Sequence, residues 1–77
     1  MSMFRYVVKC NRNGQVLYLE NDATMALTPT KALAQQFLLR EAAIKCAEAL
    51  MADKRLNVKK AHAEKIAPGK GVSYAYN

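Results

Sequence analysis

This chain of 77 residues has one histidine, no CxxC pair, two widely separated cysteines and only one acid after Asp53. Each shortage excludes something. A lone histidine, His62, has no second ligand or nucleophile beside it and reads as a surface residue. Cys10 and Cys46 have no zinc spacing and sit in apolar surroundings, so they read as buried reduced thiols rather than a disulfide framework. No apolar run approaches the roughly 18–20 residues a membrane helix needs, and Met1–Cys10 alternates with Arg5 and Lys9 where a signal peptide would be continuously apolar. The expectation is a cytoplasmic protein without a membrane partner. The glycines of "PGKG" (68–71) are too few and irregular for a phosphate loop. Glu41 and Glu48 stand seven apart around Lys45, the spacing of ordinary helix-surface ion pairs rather than paired catalytic acids. No catalytic residue, metal or cofactor is expected, and the protein is read as a non-enzyme.

What is present is apolar content and positive charge. Hydrophobic residues make up 52% of the chain, much of it alanine, which argues against disorder but for a thin core. A single domain, residues 1–77, follows from the length. So small a core is often completed by a second copy or a partner. The charge is uneven. Residues 1–53 hold six basic and five acidic groups; residues 54–77 hold six basic groups and one acid, Glu64. Nearly all of the net +6 therefore lies in the last third.

Phe4–Cys10 alternates as a strand should, and "NRNGQ" follows it. Asn-Gly between two apolar runs is the strongest short hairpin signal, because both residues tolerate positive φ. With Asn13 and Gly14 as the loop, Arg12 faces Gln15, Cys10 faces Leu17 and Val8 faces Leu19, which gathers Phe4, Tyr6, Val8, Cys10, Leu17 and Leu19 on one face. The other face holds Arg5, Val7, Lys9, Val16, Tyr18 and Glu20, with Lys9 opposite Tyr18 and Val7 opposite Glu20.

"LTPTKALAQQF" starts a helix, with Thr28 as N-cap and Pro29 at the first position. Helical character runs to about Asp53. One continuous helix would carry two apolar stripes, Leu33–Phe37–Ile44–Met51 and Leu39–Ala43–Cys46–Leu50. That is too wide for a small sheet. Either the helix breaks near Leu38–Arg40, giving pieces near 28–37 and 39–53, or the second stripe meets another chain. The break is favoured. Residues 56–67 read as a returning strand, although "AHAEKIA" also suits a helix. As a strand, Leu56 and Val58 face inward, and a bulge at Lys59–Lys60 brings Ala61 and Ala63 to the same face. Residues 68–77 read as a tail or a short extra strand after a turn.

This order of residues resembles a loose group of small phage and prophage proteins. Their pattern is a strand with Y-V-x-K, a second strand ending in Y-L, a threonine-started A-x-x-F segment, an alanine-rich helix and a closing strand. Tyr6, Val7, Lys9, Tyr18, Leu19, Thr28, Ala34 and Phe37 occupy those positions, and the resemblance spans about residues 4–66. Two departures stand out: Leu38 or Leu39 replaces the usual capping residue before the second helix, and the closing strand is unusually basic. The resemblance implies an α+β fold and a phage-related origin. It implies no particular activity, since many such proteins have none assigned; small phage proteins of this size often act by binding, inhibitors of host defence such as anti-CRISPR proteins among them.

The fold expected is α+β: a small antiparallel sheet, made of an N-terminal hairpin plus a returning strand, against one long or broken helix. The site expected is the basic segment. Edge strands carry lysines to prevent aberrant pairing, but that accounts for one or two, not for six basic residues within 17 positions from Lys54 to Lys70. Lys54, Arg55, Lys59, Lys60 and Lys65, with Lys9, Arg5 and Tyr18 from the hairpin, are the candidate surface for nucleic acid or a nucleoprotein complex; Tyr74 and Tyr76 could stack on bases as Tyr18 could. The alternative is a homodimeric protein-interaction module with an acidic protein partner, its dimer interface the stripe Leu39, Ala43, Cys46 and Leu50.

Overall fold

The computed structural model describes residues 4–66, which form a four-stranded antiparallel sheet with one α-helix on one face. The strands are β1 (Arg5–Arg12), β2 (Gln15–Asn21), β3 (Ala26–Thr28) and β4 (Lys60–Ile66), in spatial order β3-β2-β1-β4. The helix α1 spans Arg40–Ala52 and packs on β1 and β4.

The hairpin forms as its turn residues dictate. Asn13 and Gly14 both take positive φ, 55° and 79°, and Arg12 pairs with Gln15, Cys10 with Leu17 and Lys9 with Tyr18. Asn11 Oδ1 accepts the Gly14 N–H at 3.2 Å and tightens the turn. Beyond Lys9–Tyr18 the two strands part, so the expected Val8–Leu19 and Val7–Glu20 pairs do not form. β2 bulges between Leu19 and Asn21, and the chain at 35–37 fills the gap. Gln35 N–H donates to the Leu19 carbonyl at 2.8 Å. Phe37 exchanges two hydrogen bonds with Tyr6, of 2.8 and 2.7 Å. The inserted segment thus satisfies backbone groups that the parting strands would leave bare.

A helix over 28–37 is not what forms. Residues 26–28 become β3, with Thr28 opposite Tyr18, and a single 3-10 turn follows at Lys31–Leu33. Thr28 caps no helix; its hydroxyl accepts the Thr30 N–H at 3.1 Å, a turn-forming contact. Pro29 has no N–H with which to extend the ladder. The break expected near 38–40 is real, and α1 begins after an N-cap Leu39 that offers no side-chain hydrogen bond. Glu41 in the first turn complements the helix dipole instead.

β4 runs without a bulge, in continuous register from Asn11–Lys60 to Arg5–Ile66. Val58 and Leu56 still turn inward, as expected, but a left-handed Asn57 (φ 54°) in the preceding loop does this, not a bulge at Lys59–Lys60. The fourth strand expected within 72–76 and the turn at 68–71 lie outside the described residues.

The core sits between α1 and the sheet: Val8, Cys10, Leu17, Leu19, Phe37, Ala43, Ala47, Leu50 and Val58. Ala43 and Ala47 let the helix lie close. Leu19, Leu50 and Val8 are fully enclosed, each contributing about 1.5–3 kcal/mol relative to exposure. The stripe assigned to a dimer interface is therefore largely spent inside the chain. Ala43 and Leu50 are buried against the sheet, Cys46 is half-buried against the same core, and only Leu39 is exposed. The two stripes do not share one helix either, because Phe37 and Leu33 precede α1.

Candidate nucleic-acid interface

Alternation along a strand decides which basic residues meet. Val8 and Cys10 face α1, so Arg5, Val7, Lys9 and Asn11 face away from it. The β1–β4 register then puts Lys60, His62, Glu64 and Ile66 on the outer face, and Ala61, Ala63 and Lys65 on the helix side. Across the outer face one row reads Thr28, Tyr18, Lys9, His62, one residue from each strand, each directly opposite the next. The adjoining row reads Val16, Asn11, Lys60. Lys60 and His62 are exposed, while Lys9, Tyr18 and Asn11 are half-buried among their neighbours.

The rest of the outer face is covered. Val7 points away from α1 yet is only 1% exposed. Its cross-strand neighbour Glu64 is reached by Lys31, Nζ to Oε1 3.4 Å, from the 3-10 turn. The chain after β3 thus lies over this end of the sheet before it crosses between β1 and β2 to deliver Phe37 to the core. Lys31 is also the only charged partner found for the buried Oε1 of Glu64 among the described residues. The single acid of the basic third is thereby neutralised at the covered end, and the open end keeps Lys9, Lys60 and His62. No salt bridge among the described residues involves these three.

The other predicted site residues go elsewhere. Lys65 lies on the helix side opposite Tyr6, its ammonium 4.4 Å from the centre of the Phe4 ring, a cation–π contact. Arg55 is turned back on Asp53 by two side-chain hydrogen bonds of 3.1 and 3.0 Å, which hold the Asp53 carboxyl below its usual range and raise the guanidinium. Lys54 is exposed in the same loop. Arg5 is on the outer face but beside Ile66, at the covered end. Lys59 stays near the open end: with Lys60, Asn11, Asn13 and Gly14 it lines an open cleft of about 370 Å³ next to the hairpin turn. The basic segment is thus divided three ways, with Lys59 and Lys60 joining Lys9 and Tyr18 while Lys54 and Arg55, and Lys65, stand apart.

Two members were missed in the sequence. His62 reads in the sequence as a surface histidine, and nothing in the sequence singles out Asn11. Both enter the site only through the β1–β4 register, which places His62 against Lys9 and Asn11 against Lys60. Burial raises both thiol pKa values, opposed at Cys10 by Arg12 and reinforced at Cys46 by Asp22. Among the described residues no three His, Cys, Asp or Glu side chains converge as a metal site would require, and no helix is long and apolar enough to cross a membrane.

Fold and surface together define a small α+β protein with one helix-covered sheet face and one partly open, cationic face. Comparison with protein-family models, with curated proteins and with solved structures gives no match.

Proposed function

We propose that the open end of the outer sheet face binds single-stranded nucleic acid, free or within a nucleoprotein complex. The observation that carries this reading is the row Tyr18–Lys9–His62 with Lys60 beside it. Lysines at this spacing neutralise backbone phosphates, and binding of this kind releases counterions and weakens steeply with salt. Tyr18 supplies a ring on which a base can stack, which an unpaired strand offers and a duplex does not. Asn11 and Lys59 extend the polar rim toward the hairpin turn. No sequence-reading set of side chains is part of the proposal, so the binding is largely sequence-tolerant.

The resemblance to small phage proteins supplies a setting. A compact, non-enzymatic protein that occupies nucleic acid or the nucleic-acid groove of a host defence complex would act as an inhibitor by occlusion. An acidic protein partner uses the same cations but has no use for Tyr18.

The test is a titration of labelled single-stranded and duplex oligonucleotides at low and high salt. Single strands bind more tightly, and Tyr18→Ala costs about 1–3 kcal/mol of that affinity. Equal affinity for duplex, or binding indifferent to salt, rules the reading out. Retention of full affinity by Tyr18→Ala with loss in Lys9→Glu would show binding by charge alone and overturn the stacking role of Tyr18.

A further inference from the structure

The two edges of the sheet differ. β3 is three residues long, follows a left-handed Met25 and is closed by Pro29, so it offers little to a neighbouring strand. β4 is seven residues long, runs in unbroken register, and nothing among the described residues pairs with its other edge. Which of its backbone groups point outward follows from Tyr6. Tyr6 gives both its N–H and its C=O to Phe37, away from β4. Alternate residues of a strand aim at opposite edges, so Val7 and Lys9 aim at β4 and exchange bonds with Glu64 and His62. The outward groups of β4 therefore belong to Ala61, Ala63 and Lys65.

We infer that this edge pairs with the same edge of a second copy, antiparallel, about a two-fold axis at Ala63. Only pairings that match outward-aimed residues with one another close hydrogen bonds. With the axis at Ala63, that residue meets its own counterpart and Ala61 meets Lys65 of the second copy, so every outward N–H and C=O of both strands is satisfied. On the outer face the same register sets His62 against Glu64 of the second copy, twice, in the closely spaced positions, where an imidazole N–H can donate to a carboxylate oxygen. Lys60 meets Ile66. On the helix side the meeting residues are small, alanine on alanine and alanine beside a lysine stem. A shift that centres the axis on Glu64 sets two carboxylates face to face. A shift that centres it on His62 matches Ala61 with Ala63 and leaves Lys65 unmatched within the strand. The Ala63 register is the one that pairs every outward backbone group and keeps the carboxylates apart.

The consequence is a continuous eight-stranded sheet with both helices on one side and both open cationic ends on the other. The pairing itself requires nothing of the nucleic-acid reading.

Sedimentation of the full chain over a concentration series tests it: the mass doubles as concentration rises. Ala63→Pro removes an outward N–H and leaves the β1 ladder intact, and it returns a monomer. A second measurement does not depend on that variant folding. In a Cys46→Ser background, Ala63→Cys forms a disulfide-linked dimer on oxidation. Ala61→Cys does not, because its two copies are about 14 Å apart in this register, beyond disulfide reach. A wild-type chain that stays monomeric at every concentration overturns the inference, as does equal cross-linking at both positions. A monomer whose Ala61, Ala63 and Lys65 amides resist hydrogen exchange also overturns it, and would assign the edge to residues 67–77 of the same chain.

Discussion

The two faces of β4 carry different duties although their residues alternate in one short stretch. Ala61 and Ala63 pack beneath α1, and Lys65 on that side lies over Phe4. Lys60 and His62 face outward beside Lys9, and Glu64 is engaged by Lys31. Positive charge that looks continuous in sequence is therefore split by the strand period of two. Proximity along the chain does not predict proximity on the surface; register does. The helix side holds the fold together, and the open end of the outer side gathers Lys9 and Lys60, neither of which is in a salt bridge among the described residues.

The comparison can be broken most forcefully from the helix side. Leu50→Ala opens a cavity under α1 and costs about 2–5 kcal/mol, a large part of the stability of so small a domain; chemical denaturation should show a lowered midpoint or an already unfolded chain. Charge reversal on the outer face should do the opposite. Lys9→Glu with Lys60→Glu leaves the melting temperature nearly unchanged, removes most nucleic-acid binding, and lowers the salt slope by about 1.4 if each lysine meets one phosphate of a single strand. Comparable loss of stability from this pair would mean the outer face is not separable from the fold. Lys65→Glu sharpens the contrast within one strand: it gives up about 0.5–1 kcal/mol of cation–π attraction and leaves oligonucleotide affinity close to wild type. A binding defect as deep as that of the outer-face pair would show that the two faces act together.

The smallest effect belongs to Asp53 and Arg55. Their hydrogen bonds lower the folded pKa of Asp53, so what the pair adds to stability is present above the ordinary carboxylate pKa and lost as pH falls through the lowered value. Arg55→Ala should raise the Asp53 titration midpoint toward its ordinary value, seen by NMR, with stability near neutral pH almost unmoved, as is usual for exposed pairs.

Much of the architecture was legible. Asn13-Gly14 announced the hairpin and its register near the turn because positive φ at two adjacent residues has few alternatives. The break before Arg40 was legible from the excess apolar width of 28–53. The segment 28–37 was misread because its helix propensity is a weak prior against tertiary demand. Leu19 and Tyr6 present backbone groups that a segment of the chain must satisfy, and residues 35–37 do so in extended form. The bulge at Lys59–Lys60 was invoked to keep Leu56, Val58 and Ala61 on one face; a left-handed Asn57 achieves this in the loop. The stripe Leu39–Ala43–Cys46–Leu50 was correctly seen as apolar. That it covers the chain's own sheet depends on where β1 and β4 lie.

The sequence by itself determined the hairpin, a helix near 39–53 and the excess of cations in the last third, because turn chemistry, periodicity and composition are local properties; residues 56–67, which suit strand or helix alike, became a strand through pairing with β1. Which cations meet was decided only by the tertiary structure. The β1–β4 register brings His62 and Lys60 to Lys9 and Asn11, while Asp53 and Lys31 engage Arg55 and Glu64. Charge acts through space, and the distances are set by pairing between strands about fifty residues apart in the chain.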